Sequence, residues 1–266
     1  MRVGAIYSYA ELKALARPPE RRLWSMPAKT HYTQLHTKCG EVLSESFAGP
    51  RAADMAKSHA FVADLAQWIG EMGSRSEVPV LQAALREYQF SLLALSFGQY
   101  RAAFSALRLS LELCFAAIQW SANERELREW KRGQRDSNWG SLVDSDNGIL
   151  SKQFVRLFCE GLADEAARYR ASAGAVYREC SEYVHGNADT HRALPEQISF
   201  DGSSFDAWQQ KASVVRLTTS FALTARYLSD LDAAARTRLE GMILDHLGHS
   251  AGVRALLGAP VEAANG

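Results

Sequence analysis

Hydrophobic residues recur along most of this chain at intervals of three and four, the period of an α-helix with one buried face. The pattern is strongest from Val80 onward. Leu81, Leu85, Tyr88, Leu92 and Leu95 predict an amphipathic helix that Gly98 interrupts. Residues 99–120 then predict a second helix, apolar almost all round, as expected at the centre of a bundle. Its polar residues Arg101, Ser105, Arg108 and Glu112 form one stripe. That stripe reads either as an exposed face with an Arg108–Glu112 pair or as a face turned toward Arg178 and His185.

Residues 151–170 predict a third helix with Phe154, Leu157, Phe158 and Leu162 inward. A break is expected at residues 172–174, before a short helix within residues 171–187, ASAGAVYRECSEYVHGN. The apolar stripe of that helix is Ala173, Val176, Tyr177, Cys180 and Val184, and Gly186 is the expected stop. An irregular loop and a short strand at residues 197–200 should follow. Ser203 or Ser204 then caps a fifth helix, to about residue 231, that buries Trp208, Ala212, Val215 and Ala222. Further helices are predicted near residues 233–247 and 253–257.

The first fifty residues are the least regular, broken by Pro18, Pro19, Pro27 and Pro50, with short helices expected at residues 9–16 and 33–46. Residues 52–72 predict a helix, and GSRSEVP (residues 73–79) marks a break. The fold expected is all-α: a bundle of four to five main helices over residues 76–258. A partly helical extension at residues 1–75 precedes it, and a frayed tail at 259–266 follows.

Composition narrows the functional classes. Among 266 residues, 30 are Lys or Arg and 30 are Asp or Glu, so the formal net charge is zero. That argues against a polybasic wrapper of nucleic acid while allowing a local basic patch. The four cysteines are widely spread, which suits reduced, buried thiols in a cytoplasmic protein. The N-terminus has no signal-peptide pattern, and no apolar run reaches the length of a membrane span, so no membrane association is expected. His31, His36 and Cys39 would be half a zinc site, but no second compact pair accompanies them, and no metal is expected. No phosphate loop, dinucleotide fingerprint, HExxH helix or Gly-x-Ser-x-Gly elbow is present, so no cofactor is implied.

Residues 122–150 form a charged connection. Arg125, Arg128, Lys131, Arg132 and Arg135 are interleaved with Trp130 and Trp139, a composition that suits single-stranded nucleic acid, with RNA the expected partner. Glu124, Glu126 and Glu129 offset three of those charges, and the alternative is a helix end and loop whose tryptophans pack onto the bundle.

The main candidate for chemistry is the pair Arg178 and His185. Seven residues at about 100° each return them to within roughly 20° on an unbroken helix. Arginine presents a planar fork to phosphate and stays charged, and histidine titrates near neutral pH. Such a pair can grip and protonate a phosphodiester. It can equally be surface polarity, with Arg178 paired to Glu182.

Two long helices, a charged connection, a third helix and a short helix carrying Arg, six residues and His resemble the HEPN superfamily of all-helical proteins. The likeness rests on YRAAFSALRLSLE (residues 100–112) and YRECSEYVHG (residues 177–186), within roughly residues 80–232. The superfamily includes toxin–antitoxin and abortive-infection ribonucleases. The resemblance implies a metal-independent endoribonuclease acting as a homodimer, as a toxin or phage-defence effector, with an antitoxin as a further partner. Arg178 would hold the scissile phosphate, and His185 would act as general acid or base. The products would be a 2′,3′-cyclic phosphate and a 5′-OH. Glu112 or Glu182 would orient the arginine, with Arg108 beside them. Glu179 departs from the polar amide that often follows the arginine in active members, and a carboxylate there repels phosphate unless it points away. The second expectation is therefore a non-catalytic helical module that binds a nucleotide, RNA or a partner protein.

Overall fold

A computed structural model describes residues 26–185 and 187–259. Within them the chain is all helical, with twelve α-helices and no strands. In chain order these are α1 (Ala28–Ser46), α2 (Arg51–Met72), α3 (Val78–Ser96), α4 (Tyr100–Ser121), α5 (Glu124–Lys131) and α6 (Trp139–Leu142). They continue with α7 (Lys152–Phe158), α8 (Ala166–Ser181), α9 (Ala188–Ala193), α10 (Gly202–Tyr227), α11 (Ala233–Leu247) and α12 (Ala251–Leu257). The helix expected at residues 9–16 and the tail from residue 260 lie outside the described residues.

α4 is the axis of the core. It buries Phe104, Leu107, Leu111, Phe115 and Ile118, and packs on α3, α10 and α8. Twenty-two residues long, it is the one described helix apolar enough by length and composition to cross a membrane, where no such run was expected. Those apolar residues are largely the centre of the bundle. The α3–α4 hairpin turns at Gly98, whose φ of +72° favours glycine. Ser91 donates to the Ala103 carbonyl at 2.7 Å, Ser110 donates to the Ala84 carbonyl at 2.8 Å, and Trp208 of α10 donates to Ser91 at 3.0 Å.

α2 belongs to the same apolar cluster through Phe61, Leu65 and Trp68. The turn at residues 73–77 thus joins two helices of one core. Arg238 of α11 grips Glu71 of α2 through two bonds of 2.7 Å, and His246 lies 2.8 Å from Asp64.

The third and fourth helices are divided differently from the sequence expectation. The break falls at Cys159, whose φ of −154° ends α7, and a 3₁₀ turn at Glu160–Leu162 leads to α8. Leu157, expected inward, lies on the outer face of α7 and is 77% exposed. No break occurs at residues 172–174. A glycine inside a helix costs about 1 kcal/mol, and the burial of Tyr169, Ala173, Val176 and Cys180 offsets it at Gly174. Tyr169 stacks on Phe221 of α10 at 3.7 Å, which fixes the first half of α8. Residues 197–200 are not a strand. Asp201, rather than Ser203 or Ser204, caps α10 by accepting from the Ser204 amide at 2.7 Å.

Candidate functional site

α4 and α8 run antiparallel, and the polar stripe of α4 lies along the C-terminal half of α8. The spacing on each helix explains the match. Tyr177, Ser181 and His185 recur every four residues, and Arg101, Ser105, Arg108 and Glu112 recur every three or four. Arg108 donates through Nε to Ser181 at 2.9 Å and through Nη2 to the Tyr177 hydroxyl, with its guanidinium 4.4 Å from the Tyr177 ring centre. Tyr177 in turn donates to Glu112 at 2.8 Å. Glu112 also accepts from Ser137 and faces Arg108 at 3.5 Å.

This cluster is closed on itself. Trp139 stacks on Tyr177 at 3.8 Å with the rings nearly parallel, and Phe115 lies behind it. Burial, then the Glu112 carboxylate, pushes the Tyr177 phenol up to about 12. Tyr177, expected only as part of the apolar stripe, is the hub. Glu112, expected to orient Arg178, orients Arg108 and Tyr177 instead, because its oxygens are already held.

α8 ends at Ser181, so His185 is not in the helix proper. The chain continues in a tightened turn: the Tyr183 amide donates to the Cys180 carbonyl at 3.2 Å, and the Val184 amide donates to the Ser181 carbonyl at 3.0 Å. The His185 amide still donates to the Ser181 carbonyl at 3.2 Å, so the turn keeps one helical bond beyond the end of α8. Both side chains are exposed, and neither forms a hydrogen bond or ion pair among the described residues. The Arg178–Glu182 pair does not form. Glu182 instead accepts from the Asn187 side chain and, through its carbonyl, from Thr190 at 3.3 Å, closing the turn before α9.

Arg101, at the start of α4, reaches the same turn. Its Nη2 donates to the Val184 carbonyl at 3.2 Å, and its Nη1 lies 3.2 Å from His191 Nε2 on α9. Arg101 and His191 therefore meet at the turn that carries His185, with Arg178 seven residues earlier on α8 and Arg108 on α4. His191 had no sequence signal beyond its proximity to the motif. Ser181 had one: it falls midway between Tyr177 and His185. Glu179 turns toward α10, where it pairs with Lys211 at 2.8 Å. That pairing largely neutralises the one carboxylate next to Arg178.

The charged connection is placed differently from the RNA-binding expectation. Arg125 pairs with Glu129 at 2.8 Å, Arg128 with Glu124 at 2.6 Å, and Lys131 donates to the Ser76 carbonyl at 2.7 Å. Two hydrogen bonds, from Arg135 and then Arg125, hold the Glu129 carboxyl below the usual carboxylate range. Trp130 packs against Trp120 at 5.2 Å. Of the nominated residues Arg125, Arg128, Lys131, Arg132 and Trp130, only Arg132 keeps an exposed charge without a partner among the described residues.

Among the described residues no three His, Cys, Asp or Glu side chains gather as metal ligands. All four cysteines are free. Burial pushes the Cys114 thiol up to about 12, and Cys180 likewise. Comparison with known proteins finds no matching family model, no matching curated protein and no matching solved structure.

Proposed function

We propose that this chain is a HEPN-like, metal-independent endoribonuclease whose phosphodiester site lies at the C-terminal end of α8. The reading takes α3, α4, α8 and α10 as its main bundle. One observation carries it: Arg101 reaches the Val184 carbonyl, next in the chain to His185, and His191, while the exposed side chains of His185 and Arg178 make no hydrogen bond or ion pair among the described residues. Arg178 and Arg101 bind phosphate oxygens through their planar forks. His185 takes the proton from the ribose 2′-OH or gives one to the leaving 5′-oxygen. The closed cluster of Arg108, Tyr177, Glu112 and Ser181 does not touch substrate in this account; it fixes the angle between α4 and α8. The Lys211–Glu179 pair offsets the repulsion that a lone carboxylate beside Arg178 would cause.

The test is to incubate the full chain with end-labelled single-stranded RNA in EDTA and determine the product ends. Fragments with a 2′,3′-cyclic phosphate and a 5′-OH are expected. Intact RNA, or fragments with 5′-phosphate, would reject the mechanism.

A second reading, a non-catalytic module, is favoured by the exposed Phe90 and Leu93 on α3 and Leu109 on α4. It expects intact RNA and a stable complex with a second copy or a partner protein.

A further inference from the structure

A cavity of about 530 Å³ opens beside Arg101. Small-molecule sites occupy about 300–1,000 Å³ and combine apolar walls with a few polar groups. This cavity fits that description. The segment between α9 and α10 contributes Leu194, Pro195 and Ile198 as one wall. Gln99, Arg101 and Glu196 supply the polar groups. Glu196 forms no hydrogen bond or ion pair among the described residues, so its carboxylate is free to accept from a ligand. The wall is held in place from below, where the Asp201 amide donates to the Tyr100 hydroxyl at 2.7 Å.

We infer that this cavity seats the base of an unpaired RNA nucleotide, with Arg101 on the phosphate that joins it to the cleavage point at His185. The inference rests on the reading of the α8 end as a phosphodiester site. Arg101 borders both places. An apolar wall receives the flat face of a base, and a paired base cannot leave its duplex to enter without a cost in unstacking. The site therefore takes single-stranded RNA. Glu196 selects the base. A carboxylate accepts only, and guanine alone offers two adjacent N–H donors on its Watson–Crick edge to match its two oxygens. Uracil offers one N–H there between two carbonyl oxygens, which face the carboxylate unfavourably.

The test measures binding of fluorescent single-stranded 2′-O-methyl hexanucleotides to the full chain by anisotropy. Such RNA cannot be cleaved through its 2′-oxygen, so binding is read whether or not the chain is an enzyme. Oligo-G interspersed with A to prevent quadruplexes should bind at least about tenfold tighter than oligo-U, the discrimination of one good bidentate contact. Glu196→Gln should erase that preference. Arg101→Ala should weaken both RNAs and lower the salt slope by about one. Ala102→Trp, at an exposed position on the cavity wall, should fill the cavity and weaken guanine binding about tenfold with an unchanged thermal midpoint. Equal affinity for G and U RNAs, or guanine binding untouched by both Glu196→Gln and Ala102→Trp, overturns the inference. GMP that binds as tightly as the hexanucleotide would make this a site for a free nucleotide and would also overturn it. Guanine-selective binding by a chain that leaves natural RNA intact would uphold the pocket and reject the ribonuclease.

Discussion

Tyr177 makes three kinds of contact at once. It donates to Glu112, accepts from Arg108 and stacks against Trp139. Folded, its phenol is pushed up to about 12, first by burial and then by Glu112; unfolded, it returns to about 10. Between those values the unfolded chain releases a proton that the folded chain keeps, so stability falls as pH rises. Tyr177→Phe should therefore cost about 1 kcal/mol near neutral pH. The parent's advantage over the variant should shrink as pH climbs from 10 to 12, measured by urea midpoints. At the same scale, the side chains of Arg178 and His185 make no hydrogen bond or ion pair among the described residues. Glu112 and Glu182 were legible as carboxylates near the motif, but not as groups already committed. Glu112 meets Tyr177, 65 positions away in the chain, and Glu182 meets Asn187, which lies beyond the helix that periodicity describes.

The hairpin of α3 and α4 sets where Arg101 stands. Gly98 turns it at φ +72°, and a Cβ there would lie 3.1 Å from the Ser199 carbonyl and 3.3 Å from Val42. Gly98→Ala should destabilise the chain by about 1–2 kcal/mol, from backbone strain and this crowding together, read as a lower denaturant midpoint. It should also weaken RNA binding, since the segment bearing Ser199 continues into the cavity wall. Long periodic helices such as α3, α4, α10 and α11 were legible because each presents one apolar face over several turns. The α7–α8 boundary was not. Gly174 carries the composition of a stop but is held in a helix by its buried neighbours, while Cys159 breaks a helix with no proline before it. Tertiary packing outweighs local propensity at both places. The end of α8 was legible to within a turn, but the tightening after Ser181 was not, because it depends on Asn187 and Thr190 closing onto Glu182.

Across the whole molecule, one apolar cluster runs from α2 to α12. Leu65 is fully buried in it. Leu65→Ala should therefore cost about 2–5 kcal/mol. Unfolding should remain a single transition, coincident by circular dichroism and tryptophan fluorescence, because α2 shares the core rather than forming its own. The proposed function places all the chemistry at the C-terminal end of α8. Its most direct test is the single-turnover rate at which the full chain and His185→Ala cleave the same single-stranded RNA in EDTA. The account predicts that the variant folds with the parent's thermal midpoint and cleaves at least about a hundredfold more slowly, the usual contribution of general acid–base catalysis. Equal rates for the two proteins would contradict it.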